Sequence, residues 1–325
     1  LNNHIGVPLT LLRLRAQPPH RVGVVELGTN HEGEIALLAG LVAPQVALVN
    51  NAQREHQEFL HGVEAAAREN GSVIAALGDG GTVVLPAADA CLPLWRVAAG
   101  ARPVHTFALD GDARVRGQAT WNVDANGGHW VLRLSAPEGS VATTLAIAGR
   151  YNALNAVAAT ACALAVGAPV EAVARGLADF RPVKGRSRTL PLHWQGRDAT
   201  LVDDSYNANP DSVLAAIDVL AELPGPRWLL LADMAEVGDQ GPQFHDEVGR
   251  HAAARGLEHV WTFGTQSRVA AAACGARHFD TMEALLAALP HGPAAAALLV
   301  KGSRSMRMER VVQALTGQTG DAHAA

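Results

Sequence analysis

Asp203-Asp204-Ser205-Tyr206-Asn207-Ala208-Asn209-Pro210-Asp211-Ser212 joins an apolar run at residues 199–202 to a stripe of Val213, Ile217 and Leu220 at helical spacing. The run reads as a buried strand and the stripe as the inward face of a helix. Asn209 fits the N-cap, and Pro210 fits the first helical position, where its missing N–H leaves nothing unsatisfied. Strand, polar loop and helix in this order are the building unit of a parallel α/β sheet, and such sheets bind ligands at the carboxyl ends of their strands. A strand-end carboxylate can accept from ribose hydroxyls, and a tyrosine in the following loop can stack on a base. An ordinary capped turn would explain Asn209 and Pro210, but not two acids and an aromatic in a row.

The same rhythm extends in both directions. Strands are expected at residues 22–25, 46–49 and 82–85, with helices at 34–41 and 63–77. Between 104 and 147 the texture becomes alternating β segments separated by Gly and Asp turns, which reads as an antiparallel insert. An Ala-rich helix follows over 152–166, stopped by Gly167 and Pro169. Beyond 182–188 the α/β rhythm restarts, with strands at 199–202, 228–231, 259–263 and 297–300. A chain of 325 residues can bury two cores, and the expected division is 1–184 and 185–325.

A net charge of -5 with no basic block argues against a nucleic-acid or membrane surface. The expectation is no nucleic-acid partner and no membrane insertion. Cys91, Cys162 and Cys274 lie far apart without C-x-x-C spacing, as in reduced cytosolic proteins. No run resembles a signal peptide or a membrane span, so the expected location is the cytoplasm. The start, Leu1-Asn2-Asn3-His4, reads as the continuation of a longer polypeptide.

Among 26 basic residues only Lys184 and Lys301 are lysines, and both precede glycine, in Val183-Lys184-Gly185-Arg186 and Val300-Lys301-Gly302-Ser303-Arg304. A compact ammonium beside bare backbone suits an oxyanion, although a lysine is often only a solvated charge. Neither lysine precedes Ser or Thr, so a G-x-x-x-x-G-K-[ST] phosphate loop is absent from these residues. Glu26 ends the first expected strand, and His56 follows the second. Brought together they could hold Mg²⁺, which favours a few protein ligands plus phosphate oxygens; the alternative is a solvated Glu and a surface His.

These motifs together resemble the Mur ligase family, in the branch that adds D-alanyl-D-alanine to UDP-N-acetylmuramoyl-tripeptide. Asp204 to Ser212 is similar to that branch's D-[TS]-Y-N-A-N-P-D-S. Asn2 to Leu12 resembles N-N-x-I-G-V-P-L-T-L-L, Glu26 to Ile35 resembles E-L-G-x-N-x-x-G-E-I, and Gly149 to Ala156 resembles G-R-H-N-x-x-N-A. Pro182 to Arg186 matches P-V-K-G-R, and Val300 to Arg304 matches V-K-G-S-R. The order is kept along nearly the whole chain, most weakly over 85–145.

The resemblance implies an α/β protein. Its first part would be a central P-loop-type ATPase domain, incomplete at its N-terminus, and its second a Rossmann-like C-terminal domain. It implies a monomer using ATP and Mg²⁺, with UDP-N-acetylmuramoyl-tripeptide and D-alanyl-D-alanine as substrates. Glu26 and His56 would hold Mg²⁺, Asn152 and Asn155 would face adenine, Asp204 would take the ribose and Tyr206 the base. Lys184, Arg186 and Lys301 would be catalytic, the first two at the ATP phosphates. Asn2, Asn3, Asn207, Asn209, Ser303 and Arg304 would contact the substrates.

Three departures from the family pattern qualify this. The chain starts after the family's UDP-binding domain and G-K-T loop, so by itself it is expected to be inactive, or to be a nucleotide- or muropeptide-binding protein without catalysis. Tyr151 stands where the family usually has His. The lysine that the family carbamylates aligns with Asn70, and the adjacent Glu69 is expected to replace it as a metal ligand.

Overall fold

The computed structural model describes residues 2–15, 17–54, 58–60, 62–124 and 127–317. Two six-stranded sheets form its framework. The first holds β1 (Val46–Leu48), β2 (Thr82–Pro86), β3 (Val104–Leu109), β4 (Val115–Asp124), β5 (Gly127–Ala136) and β6 (Gly139–Leu145), side by side in chain order. Its helices are α1 (Gly6–Leu11), α2 (Glu34–Val42), α3 (Val63–Gly71), α4 (Leu92–Ala99), α5 (Arg150–Ala165) and α6 (Val170–Ala178). Ile35 and Ala39 of α2, Ala67 of α3 and Trp95 of α4 pack with Ala47, Val83 and Leu85 of β1 and β2. The Trp95 indole N–H donates to Ala67 O at 2.8 Å, which satisfies the one polar atom of this large buried side chain.

Two expectations fail in this half. Residues 22–25 are not a strand: Val22 is 56% and Val24 91% exposed. Apolar content makes a strand only where a ladder partner and a covering layer exist, and β1, paired with β2, ends the sheet order among the described residues. The insert is not purely antiparallel either. β3 and β4 pair in parallel through Phe107–Val115, Ala108–Arg116 and Leu109–Gly117, and Asp110, just after β3, is in the left-handed region at φ 57.

The second sheet comprises β7 (Arg188–Trp194), β8 (Arg197–Asp204), β9 (Arg227–Ala232), β10 (His259–Phe263), β11 (Arg277–Phe279) and β12 (Ala297–Lys301), in the order β11-β10-β9-β12-β8-β7. All neighbours are parallel except the β7–β8 hairpin. Its helices are α7 (Pro210–Glu222), α8 (Gly241–Ala254), α9 (Ser267–Cys274), α10 (Met282–Ala288) and α11 (Glu309–Thr316). Strand side chains alternate between two cores. Trp228, Leu230, Leu298 and Val300 meet Leu285 of α10 and Val311 of α11. Leu229, Leu231 and Leu299 meet Val213, Ile217 and Leu220 of α7 and Val248 of α8. Burial on both faces is why these strands read as unbroken apolar runs. Sequence reasoning missed β7 and β11. Pro191 demotes the first to an edge position, which it occupies, and the second is only three residues long.

The chain divides into two compact units, residues 1–119, 132–143 and 153–177 in one and 120–131, 144–152 and 178–325 in the other. All three cysteines are free thiols. Among the described residues no helix is long and apolar enough to cross a membrane.

Candidate active site

The quoted loop lies at the carboxyl end of β8, and its helix begins as its sequence requires. The Asn209 side chain accepts from Ser212 N at 2.8 Å while Ser212 Oγ accepts from Asn209 N at 3.0 Å, a reciprocal capping box with Pro210 at the first position. Asn209 Oδ1 is thus engaged in starting α7. Asn207 is exposed, and its backbone carbonyl accepts from Lys301 Nζ at 2.9 Å.

Lys301 ends β12, which lies beside β8 with Lys301 opposite Asp204. Its ammonium is buried and donates to Asp204 Oδ2 at 2.6 Å. The oxyanion that this lysine meets is therefore inside the chain, and Lys301 positions the loop from beneath. Asp204 also accepts at Oδ1 from Ser187 N at 3.0 Å and Ser187 Oγ at 3.1 Å. Three donors occupy a carboxylate with about four lone-pair sites, which leaves little acceptor capacity for a ribose. Tyr151 completes the network: its hydroxyl lies 2.6 Å from Ser187 Oγ. The serine proton goes to the acceptor-only carboxylate, so the phenol is the donor. Burial pushes the Tyr151 phenol well above the usual tyrosine range, with the Asp204 charge adding to it.

Lys184 and Arg186 occupy the turn preceding β7. Both are exposed, while Gly185 and Ser187 between and after them are buried. Gly185 has φ 79, and a Cβ there would sit 3.1 Å from the Tyr206 backbone N, so the position suits glycine on both counts. Tyr206 is 43% exposed, with the Arg186 guanidinium 4.3 Å and the Arg304 guanidinium 5.6 Å from its ring centroid. The ring is a cation–π platform. Ser303 is buried, accepting from Ala235 N at 2.6 Å and donating to Ala208 O at 3.2 Å. Asn152, at the start of α5, donates to Ala148 O at 2.7 Å.

Residues to which sequence reasoning gave no role hold this end of the sheet together. Asp203 is buried beside Asp204. Asp233, just after β9, accepts from Thr265 N, Gln266 N and Ser267 N at 2.7–3.1 Å, and its carbonyl accepts from Ser303 N at 3.1 Å. The signal was available, since an acid ends the apolar run 228–232 just as one ends 199–202.

The other unit carries the remaining candidates. Asn2 donates to Glu26 Oε1 at 2.8 Å, and Glu26 is exposed. Asn3 Oδ1 accepts from Ile5 N and Gly6 N, opening α1. Asn155 Oδ1 accepts from Asn50 Nδ2 at 2.9 Å. His56 lies outside the described residues.

Glu69 is not placed as a metal ligand. It is 5% exposed on the inward face of α3, where it accepts from Gly33 N at 2.7 Å, Ile35 N at 2.8 Å and Thr29 Oγ1 at 3.3 Å. Both oxygens satisfy donors at the start of α2, a helix whose N-cap is a glycine without a side chain to do so. Among the described residues no three His, Cys, Asp or Glu side chains gather as a metal site. Glu69→Ala should therefore destabilise the fold by about 2–4 kcal/mol, the cost of orphaned buried N–H groups. Denaturant unfolding measures this; a loss below about 0.5 kcal/mol would contradict the capping role.

Comparison with known proteins agrees with the fold. The Mur ligase middle domain model matches residues 1–163, and the model of the Mur ligase, glutamate ligase domain matches 187–304. The chain belongs to the Mur ligase family. It is 39% identical over 319 residues to the UDP-N-acetylmuramoyl-tripeptide--D-alanyl-D-alanine ligase of Escherichia coli, covering 97% of this chain and 69% of that protein. The enzyme of the same name from Haemophilus influenzae is 34% identical over 321 residues, covering 97% and 68%. A crystal structure of MurF from Acinetobacter baumannii superposes with a TM-score of 0.86 at 31% identity, covering 97% of this chain and 69% of that one. MurF ligase from Thermotoga maritima in complex with ADP shares the fold, with a TM-score of 0.78 at 21% identity, covering 96% and 70%.

Proposed function

We propose that this chain is an ATP-dependent ligase of the MurF type, which joins D-alanyl-D-alanine to UDP-N-acetylmuramoyl-tripeptide in peptidoglycan synthesis. The observation that carries the proposal is the intact loop from Asp204 to Ser212, locked by its capping box and by Lys301, in a chain that aligns with the E. coli enzyme over 97% of its length. The middle domain would run to residue 184 and the C-terminal domain from 185, in a cytoplasmic monomer.

In this reading the terminal carboxylate of the tripeptide attacks the γ-phosphorus of ATP and ADP leaves. The dipeptide amine then attacks the acyl carbon and phosphate leaves. Catalysis of the first step rests on positioning and on charge stabilisation of the phosphoryl oxygens. Lys184 and Arg186 are assigned to the phosphates, Tyr206 to the base, and Asn152 and Asn155 to the adenine edge. Asp204 contributes mainly by setting Lys301 and Ser187, with any ribose contact limited to its remaining lone pair. Asn2, Asn3, Asn207, Asn209, Ser303 and Arg304 border the substrates, Asn3, Asn209 and Ser303 chiefly through the backbone they hold. Mg²⁺ would accompany ATP with Glu26 as its carboxylate and His56 as the second protein donor, and no step is assigned to it. Because no lysine precedes Ser or Thr in these residues, the 325-residue chain by itself is assigned no turnover. A nucleotide- or muropeptide-binding protein without catalysis is the second reading, favoured by that same observation.

Calorimetric titration with ADP tests the base platform. Tyr206→Ala should weaken binding about 3- to 10-fold, the worth of one aromatic stack. Equal affinity in the two proteins would remove Tyr206 from the site.

A further inference from the structure

We infer that Asp203 is the positioning residue that presents Lys184 and Arg186 to a phosphorylated ligand; this rests on the nucleotide reading above. The carboxylate is 4% exposed. Its donors are all neutral: Gly185 N at 2.9 Å on Oδ2, and Ser205 N at 3.3 Å and Ser205 Oγ at 2.6 Å on Oδ1. Asp204, the next residue, bonds Ser187 in the same turn. Two adjacent acids thus pin alternate residues of one segment inward, Gly185 by Asp203 and Ser187 by Asp204. Arg186, between the pins, and Lys184, immediately before the first, are left exposed.

A third tie, Tyr206 N to Gly185 O at 3.0 Å, fixes the turn against the base platform. The segment needs this restraint, because Gly185 at φ 79 and Ser187 at φ 50 are both left-handed, and the latter is strained for a side chain with a Cβ. Lys184 has no ion pair among the described residues, and Arg186 has only the Tyr206 ring. Two cations without acid partners, on a backbone made rigid by two buried carboxylates, form a preorganised anion handle. Asp203 touches no ligand in this scheme. It acts through the turn.

The test is calorimetry of ADP and adenosine against the full 325-residue chain and its Asp203→Asn variant, with thermal unfolding of each. The wild type should prefer ADP. In Asp203→Asn that preference should fall at least about fivefold while adenosine affinity moves less than about twofold, since the platform remains and only the phosphate handle loosens. A folded Asp203→Asn with the wild-type preference overturns the inference. If it does not unfold cooperatively, Ser205→Ala, which removes one of the three donors, decides instead: a preference lowered by about twofold or more supports the role, and an unchanged one overturns it. Lys184→Ala separates the two levels. A wild type without ADP preference, or a Lys184→Ala that keeps it, removes the phosphate reading and this inference with it. Loss in Lys184→Ala but not in Asp203→Asn removes the inference alone.

Discussion

Supplied with ATP, Mg²⁺, UDP-N-acetylmuramoyl-tripeptide and D-alanyl-D-alanine, the purified 325-residue chain should release phosphate no faster than the no-protein control. The expected deficit against the E. coli relative is at least about a thousandfold, the scale on which losing preorganised donors around a developing charge acts. The structure sharpens this expectation. A loop that wraps the β- and γ-phosphates needs consecutive backbone N–H groups and a lysine reaching the γ-phosphate. Of the two lysines, Lys301 is buried on Asp204, and only Lys184 is exposed. One exposed ammonium can attract a nucleotide, but it cannot replace a cradle of backbone donors. Sustained phosphate release dependent on both substrates would show that these residues suffice for the reaction and would overturn the assignment of no turnover to this chain.

Lys301→Met should be the most damaging single change to stability, by about 3–5 kcal/mol, because it leaves the Asp204 carboxylate buried without its cation. The ion pair is 2.6 Å long, with side chains 4% and 12% exposed, so solvent cannot compensate. Asn207 O loses its donor in the same step. Pairing the change with Asp204→Asn removes the stranded charge, so the double variant should be clearly more stable than the sum of the single losses. Denaturant unfolding of the four proteins gives the coupling. Additive losses, or a Lys301→Met within about 1 kcal/mol of wild type, would mean that the pair does not hold the loop.

The fold was legible wherever local chemistry and tertiary demand coincide. The helix from Pro210 announces itself through Asn209, Pro210 and the stripe of Val213, Ile217 and Leu220, all of which behave as their types require. The central strands were legible because burial on both faces leaves continuous apolar runs. Residues 22–25 show the limit: four residues that look like a strand, without a ladder partner, remain exposed backbone. The site was legible in its location and less so in its wiring. Sequence shows an acid at a strand end, but whether a buried carboxylate faces a lysine, a serine or a helix start depends on residues far away in the chain. Glu69 illustrates this. Its neighbour in the alignment suggested a metal, while its partners, Gly33 and Ile35, lie 36 and 34 positions away and call for a cap.

The central placement of β12 bears on the order in which the protein is made. Synthesised after every other strand, it lies between β8 and β9, so a nascent chain must hold a slot open in the middle of the sheet until residue 301 has left the ribosome. Until then β8 and β9 present unpaired backbone to one another's missing neighbour, the kind of edge that invites association with other chains. Asp204 meanwhile waits for a cation 97 positions downstream. The anchoring of the candidate loop on Lys301 therefore depends on the last strand of the sheet taking its place beside β8.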